Sequence, residues 1–230
     1  MRSGLAGCAL VLVLTTVFSP AASGDEKLSE WRRQLKDPDA SVRKEVATLL
    51  SEARGDNILE MVPALSEALG DSNWEVRADC AMALFHIGAK AHAAIPALTT
   101  GLSDAFPNVR AWSARALGAI GPEAKPAADR VAKLLADSKP VVRRAAAMAV
   151  VSIDPDRAMS TVPALVEGLL WNTDVRFSDD AVHRETAAVV LRLPGQARTA
   201  VLTALRTNTA DKDPQVQRLA REALAKLEKP

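Results

Sequence analysis

At 230 residues the chain has room for one or two ordinary domains, and 48% apolar residues with only 3% aromatics and no Tyr require a core made of Ala, Leu and Val. The formal charge of +1 falls to neutral once Arg2 is removed with the leader described below, which excludes the strongly basic footprint of a nucleic-acid binder. Gly and Pro punctuate the chain without clustering, so no linker or low-complexity segment divides it.

The first element is a targeting segment. Arg2 supplies a positive start, Leu5 to Phe18 is an uncharged, mostly apolar run of 14 residues, and Pro20-Ala21-Ala22-Ser23-Gly24 offers small residues to a signal peptidase. The run is shorter than the roughly 20 residues of a membrane-spanning helix. Residues 1–24 therefore read as a cleaved secretory signal and residues 25–230 as the mature part, exported to a bacterial periplasm or cell exterior with no membrane span after cleavage. Leu5-Ala6-Gly7-Cys8 imitates a lipobox, but the apolar run follows Cys8 where lipoprotein processing needs it before. Loss of Cys8 leaves Cys80 as the one mature cysteine, so stability rests on packing and not on an intrachain disulfide.

The rest of the chain repeats itself. Val-Arg pairs recur at Val42-Arg43, Val76-Arg77, Val109-Arg110 and Val142-Arg143, at intervals of 34, 33 and 33. Weaker copies follow at Val182-His183-Arg184 and Val216-Gln217-Arg218 after one wider gap of 40. An Asp stands five residues before the Val in five of the six copies: Asp37, Asp71, Asp104, Asp137 and Asp211. A fixed period of this size marks a repeat protein.

Each unit alternates two helical patterns. After the Val-Arg pair, apolar residues recur at helical spacing, as in Val76, Cys80, Ala81, Ala83, Leu84 and Ile87, and stop at Gly88, which suits a left-handed C-cap. The partner helix starts at Val62-Pro63-Ala64-Leu65, Ile95-Pro96-Ala97-Leu98 and Val162-Pro163-Ala164-Leu165, where a first-turn Pro costs no hydrogen bond. Neither helix can bury its apolar face alone, so the hairpins must stack into a curved, all-α solenoid of about six two-helix repeats around one long hydrophobic seam.

The pattern Leu-x-Asp-x4-Val-Arg-x2-Ala-Ala-x-Ala-Leu, seen from Leu102 to Leu117 with Ser113 in one Ala slot, resembles HEAT repeats. It is particularly similar to the short bacterial type named after phycobilisome bilin lyases, over roughly residues 27–228. The resemblance implies a right-handed superhelix and an Asp-Arg ladder between adjacent hairpins. On this chain that ladder would comprise Asp37, Arg43, Asp71, Arg77, Asp104, Arg110, Asp137 and Arg143 in an architectural role. Fold does not carry function with it, because HEAT solenoids serve many unrelated roles.

Departures from the repeat point to a candidate site. The turn of the fifth unit carries six extra residues, placed at Trp171 to Asp180, and reads either as a tolerated loop or as a recognition loop projecting from one edge. Trp74, Phe106, Trp112, Arg115, Trp171, Arg176 and Phe177 fall near that edge, with Trp74, Phe106 and Trp112 at positions expected to be largely solvent-facing. Exposed aromatics and Arg are enriched at binding hot spots, so these residues form a candidate partner-contact ridge; the competing reading is that the rings fold back onto neighbouring turns.

Catalytic patterns are sparse. HEAT-like di-iron hydroxylases carry recurrent His-Glu pairs, whereas here His86, His92 and His183 precede Ile87, Ala93 and Arg184. Asp179 and His183 share a helical spacing but fall short of the three or four ligands of a zinc site. No Ser-His-Asp set, Gly-rich phosphate loop or Cys cluster occurs. The reading is an exported, non-catalytic scaffold for a protein or peptide, with no cofactor, metal or nucleic acid. The alternative is an accessory or modifying enzyme of the HEAT-like lyase or hydroxylase kind.

Overall fold

The computed structural model describes residues 24–53, 56–170 and 179–228. Among them, twelve α-helices pair into six hairpins and no strand occurs. The hairpins are α1 (Gly24–Gln34) with α2 (Ala40–Glu52), α3 (Val62–Ala68) with α4 (Trp74–Ile87), and α5 (Ile95–Gly101) with α6 (Pro107–Ile120). They continue as α7 (Ala128–Lys133) with α8 (Pro140–Ile153), α9 (Val162–Leu170) with α10 (Asp179–Leu191), and α11 (Gly195–Asn208) with α12 (Pro214–Leu227). Four short 3-10 segments, 56–61, 88–94, 121–127 and 155–161, run directly into α3, α5, α7 and α9. The all-α solenoid of six two-helix units is thus the architecture of this chain.

Local chemistry starts and stops these helices. Asp39, Asn73 and Asp213 cap α2, α4 and α12 by accepting from the amides of Ser41, Glu75 and Gln215, each at 2.8 Å. Phe106 and Lys139 offer no side-chain cap to α6 and α8, and there Pro107 and Pro140 occupy the first turn, supplying a preset φ and no orphan N–H. At the other end, Gly88 (φ 68) and Gly121 (φ 82) turn the chain out of α4 and α6 in a region that L side chains avoid. The stretch Trp74–Gly101 has the length to cross a bilayer and holds an 18-residue window of mean hydropathy 1.2, but the reversal at Gly88 breaks it into α4 and the start of the next hairpin.

The core is not one seam but two clusters that meet at α8. The first runs from Leu28 to Ile153 and takes Ala145, Ala146, Ala149 and Val150 of α8; the second starts at Ala147 and Val151 and runs to Leu227. One helix therefore presents apolar residues to both sides, which explains why α8 is buried nearly all round. Val76, Cys80, Ala81, Ala83 and Leu84 are all fully buried, as the helical spacing requires.

Candidate functional site

The Asp-Arg pair that recurs through the first four units lies at the turns. Arg43 donates from Nε to Asp71 at 2.6 Å and from Nη2 to the other carboxylate oxygen at 3.0 Å. Arg77 holds Asp104 in the same bidentate way (2.7 and 3.0 Å), and Arg110 holds Asp137 (2.8 and 3.0 Å). Each of these arginines also donates Nη1 to the carbonyl of its own unit's Asp, at 2.7 to 2.8 Å. Each Asp in turn accepts the amide two residues on, from Asn73, Phe106 or Lys139, so one carboxylate both shapes its turn and ties it to the preceding hairpin.

The ladder then changes partner. Arg143 reaches Glu167 of α9, with Nε to Oε2 at 2.8 Å, in place of a turn aspartate, because the fifth unit has no Asp five residues before its Val. Asp37, in the first unit, accepts the amide of Asp39 at 2.8 Å and offers its carbonyl to Arg43. Burial raises the carboxyls of Asp71, Asp104 and Asp137, but the arginine hydrogen bonds and the turn amides outweigh it and leave all three below the usual carboxylate range.

The even-numbered helices form the inner, concave face. From α2 to α8 they pack closely on one another, far more than the odd-numbered helices of those units do; beyond α8 that contrast disappears, and α9 and α11 touch as closely as α10 and α12. The pair Arg115–Glu185 shows the curvature directly: its Nη1 to Oε2 separation is 3.1 Å, yet it links α6 to α10 across the intervening α8. A salt bridge can skip a unit only where the face bends inward.

On this face the aromatic candidates separate into two groups. Trp74 and Phe106 stack at the turns, with ring centroids 5.1 Å apart and planes 10° from parallel, and Arg77 lies 5.9 Å from the Phe106 ring. Trp112 and Arg115 belong to a second cluster deeper along the helices with Phe85, where the Arg115 guanidinium sits 4.8 Å from the Trp112 ring and 4.9 Å from the Phe85 ring. Of the three rings expected to face solvent, only Phe106 does, at 41% exposure; Trp74 and Trp112 are half-buried because each packs on a neighbouring unit. Trp171, Arg176 and Phe177 lie outside the described residues, and the last two residues assigned to the insert, Asp179 and Asp180, begin α10.

Between α4, α6, α8 and α10 the cluster borders a groove of about 300 Å³, lined by Phe85, Arg115, Gly118, Met148, Glu185 and Arg192 among others. Its neighbour Arg144 runs its stem past the Cα of Gly168 and the methyl of Thr186, and its buried Nε has no hydrogen-bond partner. Burial pulls the Arg144 guanidinium below its ordinary value; Glu185 opposes this and Arg115 adds to it. Toward the N-terminal end the same face is acidic and self-satisfied: Lys44 bonds Glu75 and Thr48 bonds Asp79, both at 2.7 Å. A second depression of about 250 Å³ lies against Arg43 and Asp71, which the ladder already engages.

Sequence reasoning missed Phe85, Arg144, Met148 and Glu185. A signal existed for Arg144: it stands two residues after its Val, where the second and third units place Ala78 and Ala111. Glu185 gave none, because its partner is 70 residues away. Cys80 is fully buried, and burial, with Asp79 and Asp71 nearby, pushes its thiol well above the ordinary range.

Comparison with known proteins agrees with this geometry. The family model for HEAT repeats matches residues 28–104 and again 95–178. Two engineered proteins solved by a structural-genomics consortium superpose with TM-scores of 0.56 and 0.58 at 24% and 22% identity, covering 87% of this chain and 96% and 98% of theirs. A designed armadillo repeat protein solved in complex with peptide (KR)4 superposes at TM-score 0.54 and 19% identity over 88% of this chain and all of its own length, 100%. No curated protein matches the sequence. With two matches of the repeat model spanning more than half of its length and six stacked hairpins to carry them, the chain belongs to the HEAT-repeat family.

Proposed function

We propose that this chain is an exported, non-catalytic scaffold that holds a protein or peptide along the concave face of its even-numbered helices. The observation that carries the reading is the Phe85–Trp112–Arg115–Glu185 cluster, which joins three units on that face and borders an open groove. Rings and arginines held by neighbouring units lose little freedom when a partner docks, the property that makes such residues binding anchors. A designed armadillo repeat protein of similar fold was solved in complex with peptide (KR)4, which supports a peptide-binding role here. Export rests on the composition of residues 1–24, and the non-catalytic role on the scarcity of His, Cys and clustered acid-base residues in the sequence.

The test is recovery of the protein from its native host. Mass analysis should find it in the exported fraction with residues 1–24 removed, and crosslinking should capture a partner that an Arg115→Ala, Phe85→Ala variant loses while keeping its helical signal. Full-length protein confined to the cell interior would overturn export. Equal capture by the variant would overturn the concave site.

A further inference from the structure

Among the described residues, the groove between the second and fifth units carries an excess of cations over carboxylates. Arg115 and Arg192 line it, Arg144 stands beside it near enough to feel the charges of Arg115 and Glu185, and Glu185 is the one carboxylate lining it among the described residues. That carboxylate is already engaged by both terminal nitrogens of Arg115. Arg115 is further fixed between the Phe85 and Trp112 rings, so it cannot swing away to solvent without losing two ring contacts. Among the described residues Arg144 makes no ion pair; its stem lies beside Gly168, its Nε is buried and unpartnered, and the carboxylate near it, Glu185, is already held by Arg115. A guanidinium kept partly out of water that shares its counter-charge with a second arginine gains from a further carboxylate.

Resting on the scaffold reading above, we propose that this groove binds an acidic peptide segment, its carboxylates set against Arg192 and the adjoining Arg144 and a neighbouring apolar side chain against Phe85, Met148 and Val189. The apolar wall accounts for the second half of the recognition: Phe85, Met148 and Val189 are only half-buried and line the same 300 Å³ space as Arg115 and Arg192. The groove is short and the chain as a whole carries only +1, which fits a short acidic motif better than the continuous phosphate track of a nucleic acid.

The experiment is fluorescence anisotropy with the full chain and three labelled probes: an alternating Glu-Leu octapeptide, its Lys-Leu counterpart, and a single-stranded oligothymidylate of eight nucleotides. The expected result is saturable binding of the Glu-Leu probe, weakened by salt, with no binding of the other two. An Arg144→Gln, Arg192→Gln protein should bind it at least ten-fold more weakly at an unchanged thermal midpoint. Ser152→Glu, at the exposed rim of the groove, should weaken it through charge alone. No Glu-Leu binding, equal binding by both variants, or tighter binding of the oligonucleotide would overturn the proposal. A randomised peptide library separates the two levels: capture of peptides without acidic preference sinks this inference and leaves the scaffold standing, whereas capture of none sinks both.

Discussion

A Cβ built on Gly118 would stand 2.8 Å from the Cα of Ala149 and 3.1 Å from its Cβ, so α6 and α8 meet backbone to backbone at the floor of the groove. Gly118→Ala is favoured by helix propensity by about 1 kcal/mol, yet the atoms it strikes belong to a helix packed on both sides. Its net effect should be a loss of about 1–3 kcal/mol in urea unfolding. Gly195→Ala, with nothing within 4 Å of the added carbon, should lose nothing.

The turn ladder predicts both a mutational and a pH effect. Asp104→Ala removes the acceptor for Arg77 and for the Phe106 amide together, and should cost about 1–3 kcal/mol. Asp104→Asn keeps an acceptor for the amide and should cost less. Because Asp71, Asp104 and Asp137 titrate below the unfolded value of about 3.9, their contribution is complete above that pH and is lost as pH falls through the folded values. Denaturant midpoints should therefore be flat near neutrality and drop below about pH 4. An Asp71→Asn, Asp104→Asn, Asp137→Asn protein should show a shallower drop.

Arg144 and Arg115 should respond oppositely to the same change. Arg144→Met removes a partly buried, unpaired cation and keeps its stem, so stability should be unchanged or rise by about 1 kcal/mol. Arg115→Met strands Glu185 and strips a cation from two rings, and should lower stability by about 1–3 kcal/mol. Thermal melts of the two variants check the contrast. A destabilised Arg144→Met protein would mean that Arg144 has a structural partner.

Cys80 should be chemically silent in the folded protein. A disulfide reagent should modify it only at the rate of unfolding, since the thiol is fully buried and its ionisation is disfavoured. The slow reaction should vanish in Cys80→Ser and become immediate in strong denaturant.

Six hairpins were legible in the chain itself because everything that makes them is local. A Val-Arg pair every 33 or 34 residues, a Pro in the first turn of α3, α5 and α9, and Gly88 or Gly121 past the last turn act within one unit. Two helices per unit and their buried positions follow from spacing alone. The curvature belongs to the assembled array. It is the sum of small rotations between neighbouring units, set by contacts such as Gly118 on Ala149, and no residue encodes it singly. That sum brings Arg115 to Glu185 across 70 residues, turns Trp112 onto Phe85 and away from water, and leaves the buried Nε of Arg144 without a hydrogen-bond partner, so only the tertiary structure decided where the binding chemistry collects.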